Sequence, residues 1–260
     1  MTIKLKTKIL LLVLFLIPAL NLHGQKGKRS YYQLKIYNYT TDKQEETLDS
    51  FFKDAYLPAL HRLGIKDVGV FKPVKQDSVR KVYVFIPFKS LTEFEKLEQS
   101  LAGDKQFLSA GKDYIDAPYN DIPYSRFESI LLKAFAGMPF YAKPALNGPK
   151  KDRIYELRSY EGPAEKYYIN KVEMFNKGNE IGIFNRLGFN AVFYGEVLSG
   201  STMPNLMYMT SFENKASRDA HWKAFGGDPE WKVLSAKPEY KNNVSRITTT
   251  FLYPTDYSDL

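Results

Sequence analysis

Apolar and polar residues alternate with a period of two through residues 153–161, Arg-Ile-Tyr-Glu-Leu-Arg-Ser-Tyr-Glu, which is the pattern of a β-strand. A near copy, Tyr-Gln-Leu-Lys-Ile-Tyr, occupies residues 32–37. Tyr32/Tyr155, Leu34/Leu157, Lys35/Arg158 and Tyr37/Tyr160 all pair at one offset of 123, so each strand opens one half of a chain that repeats internally. In residues 41–63 the period lengthens to that of a helix. Leu48, Phe51, Phe52, Ala55, Ala59, Leu60 and Leu63 share a face, Gly64 is the stop, and Pro58 predicts a kink. Residues 163–187 repeat this through Tyr168, Val172, Phe175, Phe184 and Leu187, ending at Gly188.

Two strand-like runs follow in each half, 68–74 and 82–88 in the first, 191–198 and 206–212 in the second. A second helix opens at Ser90, where Glu93 three residues on predicts a capping box, and its apolar stripe is Leu91, Phe94, Leu97 and Leu101. The counterpart opens at Asn214 and runs to Phe225. The closing strands lie around 130–132 and 250–252. There the offset falls from 124 to 120, which leaves the first half about four extra residues in the loop 114–124.

Each half therefore reads strand, helix, strand, strand, helix, strand, the ferredoxin-like βαββαβ order. The first half spans 31–136, a linker rich in proline, glycine and lysine spans 137–152, and the second half spans 153–256. A four-stranded sheet with helices on one face leaves the other face bare. The two halves are thus predicted to pack sheet to sheet as an α+β barrel built within one chain.

The segments Tyr155-Glu-Leu-Arg-Ser-Tyr160, Arg186-Leu-Gly188 and 218–231, with Trp222-x-x-Phe225 and Asp228-Pro-Glu-Trp231, resemble the NIPSNAP family of the dimeric α+β barrel superfamily. The resemblance covers the second half and reaches the first only through the repeat, where Phe107 stands for the tryptophan and Lys105 for the proline. It implies the barrel fold and no settled activity. Other members of the superfamily imply two enzyme alternatives, a haem held by a single histidine and a cofactor-free oxygenase.

Composition changes the picture mainly at the amino terminus. Lys4, Lys6 and Lys8 precede an apolar run from 9 to 20 and then short polar residues up to Gly24, the order of a secretory signal peptide over residues 1–24. The run is too short to span a bilayer, so export to the periplasm or medium, with no lasting membrane anchor, is expected. Losing those three lysines takes the formal charge from +8 to +5. No basic stripe remains for a nucleic acid. The chain has no cysteine, so its fold rests on its core without disulfides.

Candidate chemistry is sparse. Beyond the leader there are only His61 and His221, no His-Glu-x-x-His spacing and no acidic loop, so no metal is expected. There is no Gly-x-Ser-x-Gly and no phosphate-cradling loop. His61 fits a helix end beside Arg62. His221 and Arg218 replace Leu97 and Phe94 at the 124 offset, so either a polar pocket lies under that helix or the stripe has rotated to bring Trp222 and Phe225 inward. If Tyr32, Leu34 and Ile36 face the helices, then Lys35, Tyr37, Glu156, Arg158 and Tyr160 line the barrel. They form either a site for a small anionic ligand or a structural Glu156–Arg158 pair at the barrel mouth. Three functions stay open: a binding or interaction module, an oxygenase-type enzyme, and a scaffold without ligand.

Overall fold

Both faces of the opening strand are buried, so its alternation produces a strand whose two sides meet different partners. The computed structural model describes residues 27–260, and the predicted leader lies outside the described residues. The first half contains β1 (Tyr31–Tyr39), α1 (Asp42–Ser50), α2 (Leu57–Arg62), β2 (Gly69–Pro73), β3 (Arg80–Phe88), α3 (Leu91–Ala102), α4 (Lys105–Ala110), α5 (Lys112–Ile115) and β4 (Arg126–Ala134). The second contains β5 (Ile154–Glu161), α6 (Glu165–Asn176), α7 (Glu180–Arg186), β6 (Asn190–Ser199), β7 (Asn205–Phe212), α8 (Lys215–Gly227), α9 (Pro229–Ala236) and β8 (Arg246–Pro254).

The eight strands close into one antiparallel barrel in the order β1-β3-β2-β8-β5-β7-β6-β4. Within it the first half keeps the order 4-1-3-2 and the second 8-5-7-6, the ferredoxin-like arrangement twice over. The halves join where β2 meets β8, with Phe71 opposite Pro254, and where β4 meets β6, with Ala134 opposite Gly195. Closure gives every strand two neighbours, which limits the edge that two half-sheets would present to other chains. The barrel is α+β and complete within one chain.

Local sequence explains the helices and their interruptions. Thr41 and Gln44 form a reciprocal capping box at the start of α1. At α3, Ser90 accepts from the Glu93 backbone N–H, but the Glu93 carboxylate reaches the N–H of Lys89 and not that of Ser90. Between α1 and α2 the helix widens to a π turn over Phe51–Tyr56, where Leu57 N–H donates to the Phe52 carbonyl. Pro58 has no N–H for the Asp54 carbonyl, and the wider turn takes up the irregularity predicted as a kink. The single helix predicted over 163–187 is two, because Asn179 sits at φ 67° between α6 and α7.

The predicted strand parity is inverted. Tyr32, Leu34 and Ile36 point into the barrel with Phe71, Phe85, Tyr155, Leu157, Phe193 and Met209, forming one core shared by both halves. Phe85 stacks on Phe193 at 4.9 Å and Phe71 meets Tyr155 at 4.7 Å, so the halves interlock through aromatic rings. An eight-stranded barrel is only wide enough for side chains to fill it, and its dry interior takes the uncharged parity. Tyr37 and Tyr160 lie on the other side, in two separate cores beneath the helices of each half. Lys35, Glu156 and Arg158 share their parity and therefore line the sheet–helix layers, not the barrel lumen.

Candidate functional site

The two sheet–helix layers place equivalent residues at equivalent points, and they are finished differently. In the second half Glu156 is fully buried on β5. It accepts hydrogen bonds from Arg158 Nε at 2.8 Å, from Arg218 Nε and Nη2 at 2.8 Å each, and from Trp222 Nε1 at 2.7 Å. Arg158 continues to the Tyr160 hydroxyl at 2.9 Å, which meets that of Tyr208 at 3.0 Å. Trp222 lies over the Arg158 guanidinium at 4.0 Å and occupies the space beside it. Burial alone would raise the Glu156 carboxyl, but the Arg218 hydrogen bond and the Arg158 charge hold it below the ordinary glutamate value.

Both alternatives left open for α8 thus occur together, since Arg218 brings polar groups under the helix while Phe225 is buried with its core. His221 stands apart. Its Nδ1 contacts the Ser217 carbonyl at 2.7 Å and its ring abuts Phe189 and Phe212. His61 is tied instead to the carboxyl-terminal segment, through Nε2 to Asp259 at 2.8 Å, and that segment ends with Leu260 buried in the barrel core.

In the first half Lys35 takes the place of Arg158 and Gln33 that of Glu156, and by the 124 offset Glu98 stands where Trp222 does. The result is an opening. A cavity of about 490 Å³ lies between β1 and the helices, lined by Lys35, Tyr37, Tyr56, Tyr114, Tyr124 and Phe127 among others. Lys35 is 7% exposed. Its ammonium lies 5.0 Å from the Phe127 ring centre, 5.4 Å from that of Tyr56 and 5.6 Å from that of Tyr37. Burial pushes the amine below the ordinary lysine value, and the charge of Glu98 at the cavity edge opposes this only in part.

Three rings do not replace a counter-ion. Cation–π contact is worth about 0.5–2 kcal/mol, whereas burying an ion costs several kcal/mol. The Tyr56 hydroxyl is buried and has no hydrogen-bond partner among the described residues. Burial also keeps the Tyr37, Tyr56 and Tyr114 hydroxyls protonated, well above the ordinary tyrosine value. The cavity therefore combines a buried cation with aromatic walls, and it reaches solvent past Glu98, Leu108 and Phe127, all exposed.

Of the predicted site residues, the structure brings Glu156, Arg158, Tyr160 and Arg218 into one closed cluster and Lys35 and Tyr37 into one open cavity. His221 joins neither. Sequence reasoning missed Tyr56, Tyr114, Tyr124 and Phe127. One signal pointed to Tyr114 and Tyr124: the surplus loop of the first half, 114–124, begins and ends in residues that line the cavity. Neither described histidine borders the cavity, so its donor set does not fit a haem held by histidine. Among the described residues no group of three or more His, Asp or Glu side chains is placed to hold a metal.

Residues 155–259 match the NIPSNAP family model, and the Lys35 cavity lies outside the matched residues. No curated protein sequence matches the chain. Solved structures share the fold over most of its length. A candidate monooxygenase of Fusobacterium nucleatum superimposes with a TM-score of 0.60 at 10% identity, covering 88% of this chain and 93% of its own. Another from Lactobacillus acidophilus gives 0.56 at 11%, covering 87% and 94%. An anthrone oxidase-like protein gives 0.52 at 12%, covering 88% and 93%.

Proposed function

We propose that this chain is an exported small-molecule binding protein whose site is the first-half cavity, and that its ligand is a flat aromatic compound carrying an anionic oxygen. The observation that carries this is the Lys35 ammonium, buried in a cavity of about 490 Å³ with aromatic rings around it and, among the described residues, no counter-ion at hydrogen-bond distance. A carboxylate or phenolate supplies the missing charge, and ring walls favour a planar body. The second half supports the reading by contrast, because there the same position is neutralised internally by Glu156 and covered by Trp222. Calorimetric titration with 4-hydroxybenzoate tests it. Binding should weaken at least about tenfold in Lys35→Met, the loss of one charged hydrogen bond. Equal affinity in the variant removes Lys35 from the site, and failure of a panel of aromatic acids and phenols to bind defeats the reading.

A second reading places cofactor-free oxygenation in the same cavity. Three structures that share the fold are named for oxidase or monooxygenase activity, and a buried ammonium stabilises the enolate that such chemistry needs. Anthrone with dioxygen gives anthraquinone and water, one O2 per anthrone. An oxygen electrode should record that uptake above the buffer rate with the protein and not with Lys35→Met, and a protein rate equal to buffer excludes this reading.

Export rests on the lysine-rich start and apolar run of residues 1–24. Intact mass of the exported protein is expected to correspond to a chain beginning at or near Gln25. A full-length chain in the membrane fraction would contradict it.

A further inference from the structure

We propose that Lys35 is a covalent capture site, forming an imine with aromatic aldehydes and ketones that enter the first-half cavity; this rests on the cavity being the ligand site. An amine becomes a nucleophile when it is uncharged, within reach of the electrophile and not engaged by a carboxylate. Lys35 satisfies the last two by geometry. It lines the cavity, and Glu98 acts on it only from a distance. Burial adds the first by favouring the neutral amine. Surface lysines such as Lys177 and Lys215 are instead engaged by a carboxylate, Glu173 and Asp219 respectively.

The reaction balances with groups already present. The nitrogen lone pair attacks the carbonyl carbon to give a carbinolamine, and the C–O bond then breaks. The oxygen leaves as water carrying the two hydrogens that nitrogen gives up, and a C=N bond remains. No oxidant or reductant is required. Loss of water needs a proton donor beside the departing oxygen, and solvent water reaches the cavity past Glu98, Leu108 and Phe127.

The second half bears on specificity. Its equivalent residue, Arg158, carries a guanidinium that stays protonated and has no free amine, and Glu156 and Trp222 enclose it. Imine chemistry is therefore confined to one of the two matching positions, the one outside the NIPSNAP match.

The test is reductive trapping of the full chain with 4-hydroxybenzaldehyde and sodium cyanoborohydride, followed by peptide mapping. At pH 7 Lys35 should be labelled at least about tenfold faster than any other lysine. The rate should rise with pH as the amine loses its proton, whereas 4-hydroxybenzoate affinity, which needs the ammonium, should fall over the same range. Excess 4-hydroxybenzoate should slow the labelling. Lys35→Arg, which keeps the charge, should abolish it. Labelling of Lys35 no faster than of surface lysines, in protein that binds 4-hydroxybenzoate, overturns covalent capture and leaves the binding function intact. Loss of both overturns the two together.

Discussion

Replacing Glu156 with alanine is expected to destabilise the protein by roughly 3–5 kcal/mol, because it leaves buried guanidinium charge without its counter-ion. For a domain of this size that is a fall in melting temperature of roughly 6–20 °C. Glu156 accepts four hydrogen bonds from three side chains on β5 and α8, so its loss unties the helix from the sheet as well as removing a charge. Arg218 retains Asp219 at 3.0 Å, while Arg158 keeps only the Tyr160 hydroxyl and the Trp222 ring. By contrast, breaking the exposed Lys177–Glu173 or Lys215–Asp219 pair should change stability by no more than about 1 kcal/mol. Thermal denaturation followed by circular dichroism gives the comparison, and a Glu156→Ala melting point within about 2 °C of wild type would mean the cluster holds nothing.

The same cluster sets an acid limit. The Glu156 carboxyl lies below its ordinary value in the folded state. Its contribution is therefore complete above the unfolded value of about 4.3 and is lost as pH falls through the lower folded value. Glu156→Gln should flatten stability against pH in that acid range.

Lys35→Met is expected to do the opposite of Glu156→Ala, raising stability while removing ligand binding. The folded state holds the Lys35 amine below its ordinary value, so protonation opposes folding. The penalty is full below the lowered folded value, declines as pH rises, and disappears above the unfolded value of about 10.4. The stability gain of Lys35→Met should accordingly be largest at neutral pH and shrink toward pH 10. Methionine matches the length of the lysine stem and fills the same gap without a charge. Paired urea titrations at pH 7 and pH 10 measure this. A variant less stable than wild type at pH 7 would mean that the three rings satisfy the ammonium fully and that no ligand is wanted. A stability deficit removed by deleting a binding residue is the usual sign that function keeps a costly group in place.

Particular residues divide what could be read from the chain and what could not. Tyr155, Leu157 and Tyr160 with their partners at Tyr32, Leu34 and Tyr37 were enough to give the βαββαβ order of each half. Strand and helix periods are local, and Gly64 and Gly188, at φ 87° and 76°, mark helix ends by a conformation that glycine adopts without strain. The closed barrel also followed, because two bare sheet faces in one chain must cover each other. The residue types of the site were visible too, in Lys35 against Arg158 and in Arg218 against Phe94.

Which face each residue meets was decided by tertiary structure alone. Alternation distinguishes two sides of a strand but does not label them, and in β1 both sides are buried, so Lys35 and Leu34 could have exchanged places without altering the pattern. The dry barrel interior, filled from both halves at once, made the choice by excluding charge. The contrast between a closed cluster and an open cavity was equally out of reach. It depends on Trp222 lying across Arg158 where Glu98 leaves Lys35 uncovered, and on a loop folding Tyr114 and Tyr124 back against Tyr37. Those contacts join residues tens of positions apart in the chain, and no period in the sequence records them. The sequence determined what elements form and which side chains they carry, through interactions a few residues long; the geometry of closure determined which of those side chains meet.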